Sequence, residues 1–130
     1  MNKRTKGIAV GALAALALSA ATLAGSKQNM SVTIWPGAFL DVAYGFLGTA
    51  RNSADIVQQI GCFSSGGSAS CSATTAAGQS VSCSTSAASH LAAIHSMTND
   101  SYLLFGWDNS TGVCEFVYVR NMSYTPPKAP

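Results

Sequence analysis

The sequence predicts an all-β or β-rich α+β protein: a small, disulfide-stabilised antiparallel sandwich or meander with one short helix. Three observations lead there. From Ile56 onward, short runs of β-branched, aromatic or small residues alternate with glycine-containing turns. Cys62, Cys71, Cys83 and Cys114 make an even set of cysteines spread over those runs. One stretch alone, residues 87–97, has apolar residues at helical spacing.

The first 24 residues read as a secretory signal peptide. Lys3, Arg4 and Lys6 form a basic start, residues 8–18 an apolar run, and Ser19, Ala20, Ala21, Thr22 and Ala24 a small-residue end. The apolar run is shorter than the ~20 residues that span a bilayer, so export is expected rather than anchoring, with the membrane met only in transit. Cleavage is expected after Ala24, with Ala21 as the alternative.

Export changes the charge balance. The whole chain carries +2, but removing the leader leaves Lys27, Arg51, Arg120 and Lys128 against Asp41, Asp55, Asp100, Asp108 and Glu115, four against five, or −1. A near-neutral chain cannot release many counterions from a phosphate backbone, which argues against a nucleic-acid partner. The remaining length is enough for one domain.

Residues 25–42 are expected to be a flexible arm or edge segment. Within them SVTIWPGAFL resembles a strand interrupted by Trp35, Pro36 and Gly37, because proline cannot donate to a ladder. Residues 43–50 are apolar with two glycines, and residues 51–55 form a polar loop or a lead into the next strand. Strands are then expected at residues 56–63, 68–74 and 79–84, turning at Gly66 with Gly67 and at Gly78. The helix of residues 87–97 places Leu91, Ile94 and Met97 on one side and is expected to be capped by Ser84, Thr85 or Ser86. A final hairpin pairs residues 102–107 with 113–121 across a turn at 108–112. Its apolar residues fall on both faces, so at least one of the two strands is expected to be central. Residues 125–130 form an extended, proline-rich tail, which leaves residues 43–124 as the domain.

The four cysteines allow three connectivities. In an oxidising compartment they read as two disulfides, since the 8, 11 and 30 residues that lie between successive cysteines leave none of the close pairs of a metal site. A hairpin turning at Gly66 and Gly67 sets Cys62 opposite Cys71, within disulfide reach. The expected bridges are therefore Cys62–Cys71 and Cys83–Cys114. They compensate for a Ser/Ala/Gly/Thr-rich middle, residues 64–89, whose small side chains bury little area.

No catalytic, phosphate-binding or cofactor motif stands in the chain. His90 and His95 would point roughly 140° apart on a helix, so they do not converge as a metal pair or as a base with Asp100. Arg120 alternates with Phe116 and Tyr118, which suggests pairing or stacking. The aromatic residues carry the functional expectation: Tyr102, Trp107, Tyr118 and Tyr124 gather near the last hairpin and tail, where an exposed strip would serve binding and a buried one would be core.

The segments Arg51-Asn52-Ser53-Ala54-Asp55, Ile60-Gly61-Cys62, Cys71-Ser72-Ala73, Cys83-Ser84-Thr85, Ser101-Tyr102, Cys114 and Asn121-Met122-Ser123-Tyr124 resemble a group of small exported bacterial proteins with four cysteines and no assigned activity. The resemblance covers roughly residues 43–127 and implies compartment and disulfides, with no catalytic residues attached. The expected role is a secreted, non-catalytic binding module for a protein or glycan, without cofactor or metal. A self-associating structural subunit, a homo-oligomer of filament or matrix type, is the alternative, and a periplasmic hydrolase using His90 or His95 with Asp100 comes third.

Overall fold

A computed structural model describes residues 26–125. Both the expected leader and the last five residues of the expected tail lie outside the described residues. The strands are β1 (Thr33–Trp35), β2 (Leu40–Phe46), β3 (Gln59–Ser65), β4 (Ser68–Thr74), β5 (Ser80–Thr85), β6 (Tyr102–Asp108) and β7 (Cys114–Arg120). Two helices join them, α1 (Leu47–Arg51) and α2 (Ala88–His95). Every strand pairing in the two sheets is antiparallel: one sheet has the order β1-β2-β6-β7 and the other β3-β4-β5.

The three-stranded sheet is the expected meander. Its first turn uses Gly66 at a φ of 63°, a left-handed conformation that only glycine adopts without strain, and Cys62 pairs directly with Cys71. In the four-stranded sheet β6 is central, paired with β2 on one side and β7 on the other. Leu103 and Phe105 on β6 are fully buried. Alternation along the strands sends Leu103, Phe105 and Trp107 inward with Ala43 and Cys114, toward Ala69, Cys71, Ala73 and Cys83 of the other sheet. Ile94 of α2 and Ala50 of α1 complete this core.

Both expected disulfides are present. Cys62–Cys71 staples β3 to β4 within one sheet, with a Cα separation of 4.0 Å. Cys83–Cys114 crosses from β5 to β7 and ties the sheets together, with a Cα separation of 5.1 Å. Beside it, Ser84 and Val113 form a parallel bridge, and the Ser84 N–H donates to the Gly112 carbonyl at 3.1 Å.

Several local expectations are corrected. A second helix, α1, occupies the end of the run read as apolar and the first residue of the expected polar loop, Arg51. Ile56 and Val57 are not in β3 but exposed in the preceding loop, because the Asp55 carboxylate accepts the N–H groups of Val57 and Gln58 and turns the chain there. Helix α2 begins at Ala87 with no side-chain cap. Thr85 instead receives the Ala87 N–H at 3.2 Å and meets His90 Nδ1 at 2.8 Å. Part of the expected arm is sheet, since β1 lies on the edge and β2 pairs with β6 from Leu40 onward. Thr125, placed in the extended tail, closes a turn by donating its N–H to the Met122 carbonyl.

Candidate functional site

Alternation along β6 and β7 divides the expected aromatic residues between two faces. Trp107 points inward, is 6% exposed, and packs its ring 5.7 Å from that of Phe105. It belongs to the core and offers no surface for a partner. Tyr102, also nearly buried, lies on the opposite, outer face of the same strand, together with Tyr118 and Arg120 from β7. Tyr118 is 49% exposed, and Tyr124 is half-buried.

These outer residues form a small cluster of their own. Phe46 packs edge-on to Tyr102 at 5.2 Å and to Tyr124 at 6.5 Å, and Tyr118 stands edge-on to Tyr102 at 6.5 Å. The Arg120 guanidinium lies 4.5 Å from the Tyr102 ring centre and 5.3 Å from that of Tyr124. Burial raises the Tyr102 phenol above its usual range, partly opposed by the positive charge of Arg120. Arg120 Nε is buried and has no hydrogen-bond partner among the described residues. Among those residues the ion pair is Arg51–Asp100 at 2.9 Å, so Arg120 is held by rings rather than by a carboxylate.

The same face continues across the sheet. Strand registers put Trp35 of β1, Val42 and Tyr44 of β2, Leu104 of β6 and Phe116 of β7 on the side of Tyr102 and Tyr118. Trp35 is 65% exposed, while the others are partly covered. Trp35 and Tyr44 were not anticipated as members of the face. The signal was available in the pairing rule, because directly opposed residues of antiparallel strands share a side.

The histidines do not meet. His95 Nε2 lies 3.1 Å from Ser64 Oγ and His90 Nδ1 lies 2.8 Å from Thr85 Oγ1, on different strands. Asp100 is engaged by Arg51 instead. Neither ring receives an orienting carboxylate among the described residues, so the Ser64–His95 pair lacks the third member of a triad. No group of three or more His, Cys, Asp or Glu residues able to hold a metal occurs among the described residues.

Shallow depressions of about 180, 240 and 280 Å³ are lined by α1 with the loop before β3, by β3, and by β5 with Val113. None of them includes an outer residue of the four-stranded sheet. The candidate surface is the aromatic outer face of the four-stranded sheet, apart from these depressions.

The fold and this face define a two-sheet β protein stapled by two disulfides, a chemistry that fits an oxidising, extracytoplasmic compartment. No protein-family model matches the chain, and neither a curated protein nor a solved structure does. Among the described residues no helix is long and apolar enough to cross a membrane.

Proposed function

We propose that the chain is an exported, non-catalytic binding module that acts in the periplasm, at the cell surface or outside the cell, and that engages a protein or glycan partner through the outer face of β1-β2-β6-β7. The observation carrying this reading is the set of rings from Trp35 to Tyr118 on the outer side of the four-stranded sheet, with Trp35 65% and Tyr118 49% exposed and no helix or second sheet over them among the described residues. Exposed Trp, Tyr and Arg are the residue types that dominate binding energy at interfaces. The expected leader and the two disulfides support export.

The test is retention on isolated cell envelope and its polysaccharide. The oxidised protein should co-sediment, and a Trp35→Ser, Tyr118→Ser variant should be released at unchanged melting temperature. Equal retention of both proteins removes the face from the mechanism. A self-associating subunit is the second reading, favoured by Phe63, which is 70% exposed on the outer side of the three-stranded sheet. Sedimentation of Phe63→Ser against the unaltered chain separates the two readings.

A further inference from the structure

The outer face combines two properties that together narrow its ligand. It is ring-lined, and at the end where Phe46 and Tyr102 are buried a half-buried Arg120 lies against two rings without a counter-ion among the described residues. The Tyr102 and Tyr124 rings, 4.5 and 5.3 Å from the Arg120 guanidinium carbon, hold the group in place before an anion arrives. A guanidinium held this way loses little freedom on forming a bidentate bond to a carboxylate.

Size limits the occupant. Four strands of at most seven residues give a face of roughly 19 Å by 24 Å, about 450 Å² in plan. A stable association of two globular proteins buries about 800 Å² of accessible surface on each partner, whereas on this face Trp35 and Tyr118 are the well-exposed rings and Tyr102 and Phe46 are buried, so a second copy of this chain or a large protein surface is a poor match. A narrow chain laid across the strands fits better.

Chemistry then separates two kinds of chain. An extended peptide gains affinity by adding main-chain hydrogen bonds along a sheet edge. The middle of this face cannot supply them, because the backbone groups of β2 and β6 are committed to their ladders. A saccharide needs no backbone donors: the apolar side of a sugar ring lies on an aromatic ring, whose face is electron-rich, and its hydroxyls reach the phenol of a tyrosine. We infer that the face binds an acidic polysaccharide, with a sugar ring against Tyr118 and a uronic-acid carboxylate on Arg120. This inference rests on the binding-face reading above and names the ligand class for it.

Calorimetric titration of the oxidised protein with polygalacturonate, a neutral galactan of similar length and polyglutamate tests it. Polygalacturonate should bind at least about tenfold more tightly than either of the others, and more weakly as salt rises. Arg120→Gln should lose that preference for the acidic polymer, and Tyr118→Ala should weaken binding about tenfold at unchanged melting temperature. Should Arg120→Gln fail to fold, Tyr118→Ala and the neutral galactan still decide the matter. Equal binding of galactan overturns the role of Arg120, and equal binding of polyglutamate overturns the saccharide class. In both cases the face survives if Tyr118→Ala still weakens what is bound. Binding to none of the polymers overturns the acidic saccharide while the envelope-retention experiment continues to judge the face itself.

Discussion

The ring of Phe116 on β7 fills the space above Gly106 on β6, where a methyl group would overlap it. The two residues are direct register partners, just before the shift at Trp107, so the glycine is what allows an aromatic ring to lie over the central strand. Gly106→Ala should therefore cost about 1–3 kcal/mol in urea denaturation, the usual price of overpacking. Combining it with Phe116→Leu should recover part of that loss. Strict additivity of the two changes would show that the ring does not respond to position 106.

The two disulfides close loops of different size, with sequence separations of 9 and 31. On the loop-entropy model they contribute about 2.6 and about 3.7 kcal/mol. Cys83→Ser with Cys114→Ser should consequently lower the melting temperature more than Cys62→Ser with Cys71→Ser. Alkylation without reductant should add no mass to the unaltered protein. Equal melting shifts would mean that linking the sheets adds nothing beyond linking one hairpin.

Asp55 should report on acid sensitivity. Hydrogen bonds from the Gln58 side chain and backbone, aided by Val57, lower its carboxyl from the usual 3.8 to about 2. Gln58 in turn receives the Val32 N–H at 2.9 Å, so the turn is fastened to the residue preceding β1. A depressed folded-state pKa gives stability that is present above the unfolded value and is lost as pH falls through the folded one. The stability difference between the unaltered protein and Asp55→Ala should hold at neutral pH and close between about pH 4 and pH 2. A difference independent of pH over that interval would remove the carboxylate from the explanation.

The histidines should behave unequally. His90 hydrogen-bonds the buried Thr85 hydroxyl, so His90→Ala should cost about 1 kcal/mol, whereas exposed His95 with Ser64 should cost almost nothing. Partner retention should be unaffected by either change. A loss of binding with His95→Ala would shift attention from the aromatic sheet to the Ser64 side of the molecule.

Legibility from the residues followed the strength of local signals. The turn at Gly66 and Gly67 aligned Cys62 with Cys71, and apolar residues on both faces of the last hairpin marked at least one of its strands as central, which proves to be β6. By contrast, α1 has a glycine and a β-branched threonine within five residues, too short for any period to emerge. Ile56 and Val57 look like strand residues until the Asp55 side chain is seen to turn the backbone. For the site, Tyr118 and Tyr124 were found by composition, but Trp107 was separated from them by parity along the strand. Trp35 and Tyr44 joined the face through pairings between distant segments, and nothing within either segment announces that neighbour.

The two sheets are not consecutive along the chain. β2 finds its neighbour β6 only after β3, β4, β5 and both helices have been passed. On the export reading the bridges form beyond the membrane, so a chain arriving there from its N-terminus completes the small meander and its Cys62–Cys71 link while the β1–β2 pair still waits for β6, and Cys83 stays reduced or forms a temporary partnership until Cys114 arrives. The interval between those two moments is when the edge of β2 that will take β6 is most open to capture by another chain. Yield of the correctly bridged protein should thus depend more on how fast the segment from Cys83 to Cys114 arrives than on anything before it.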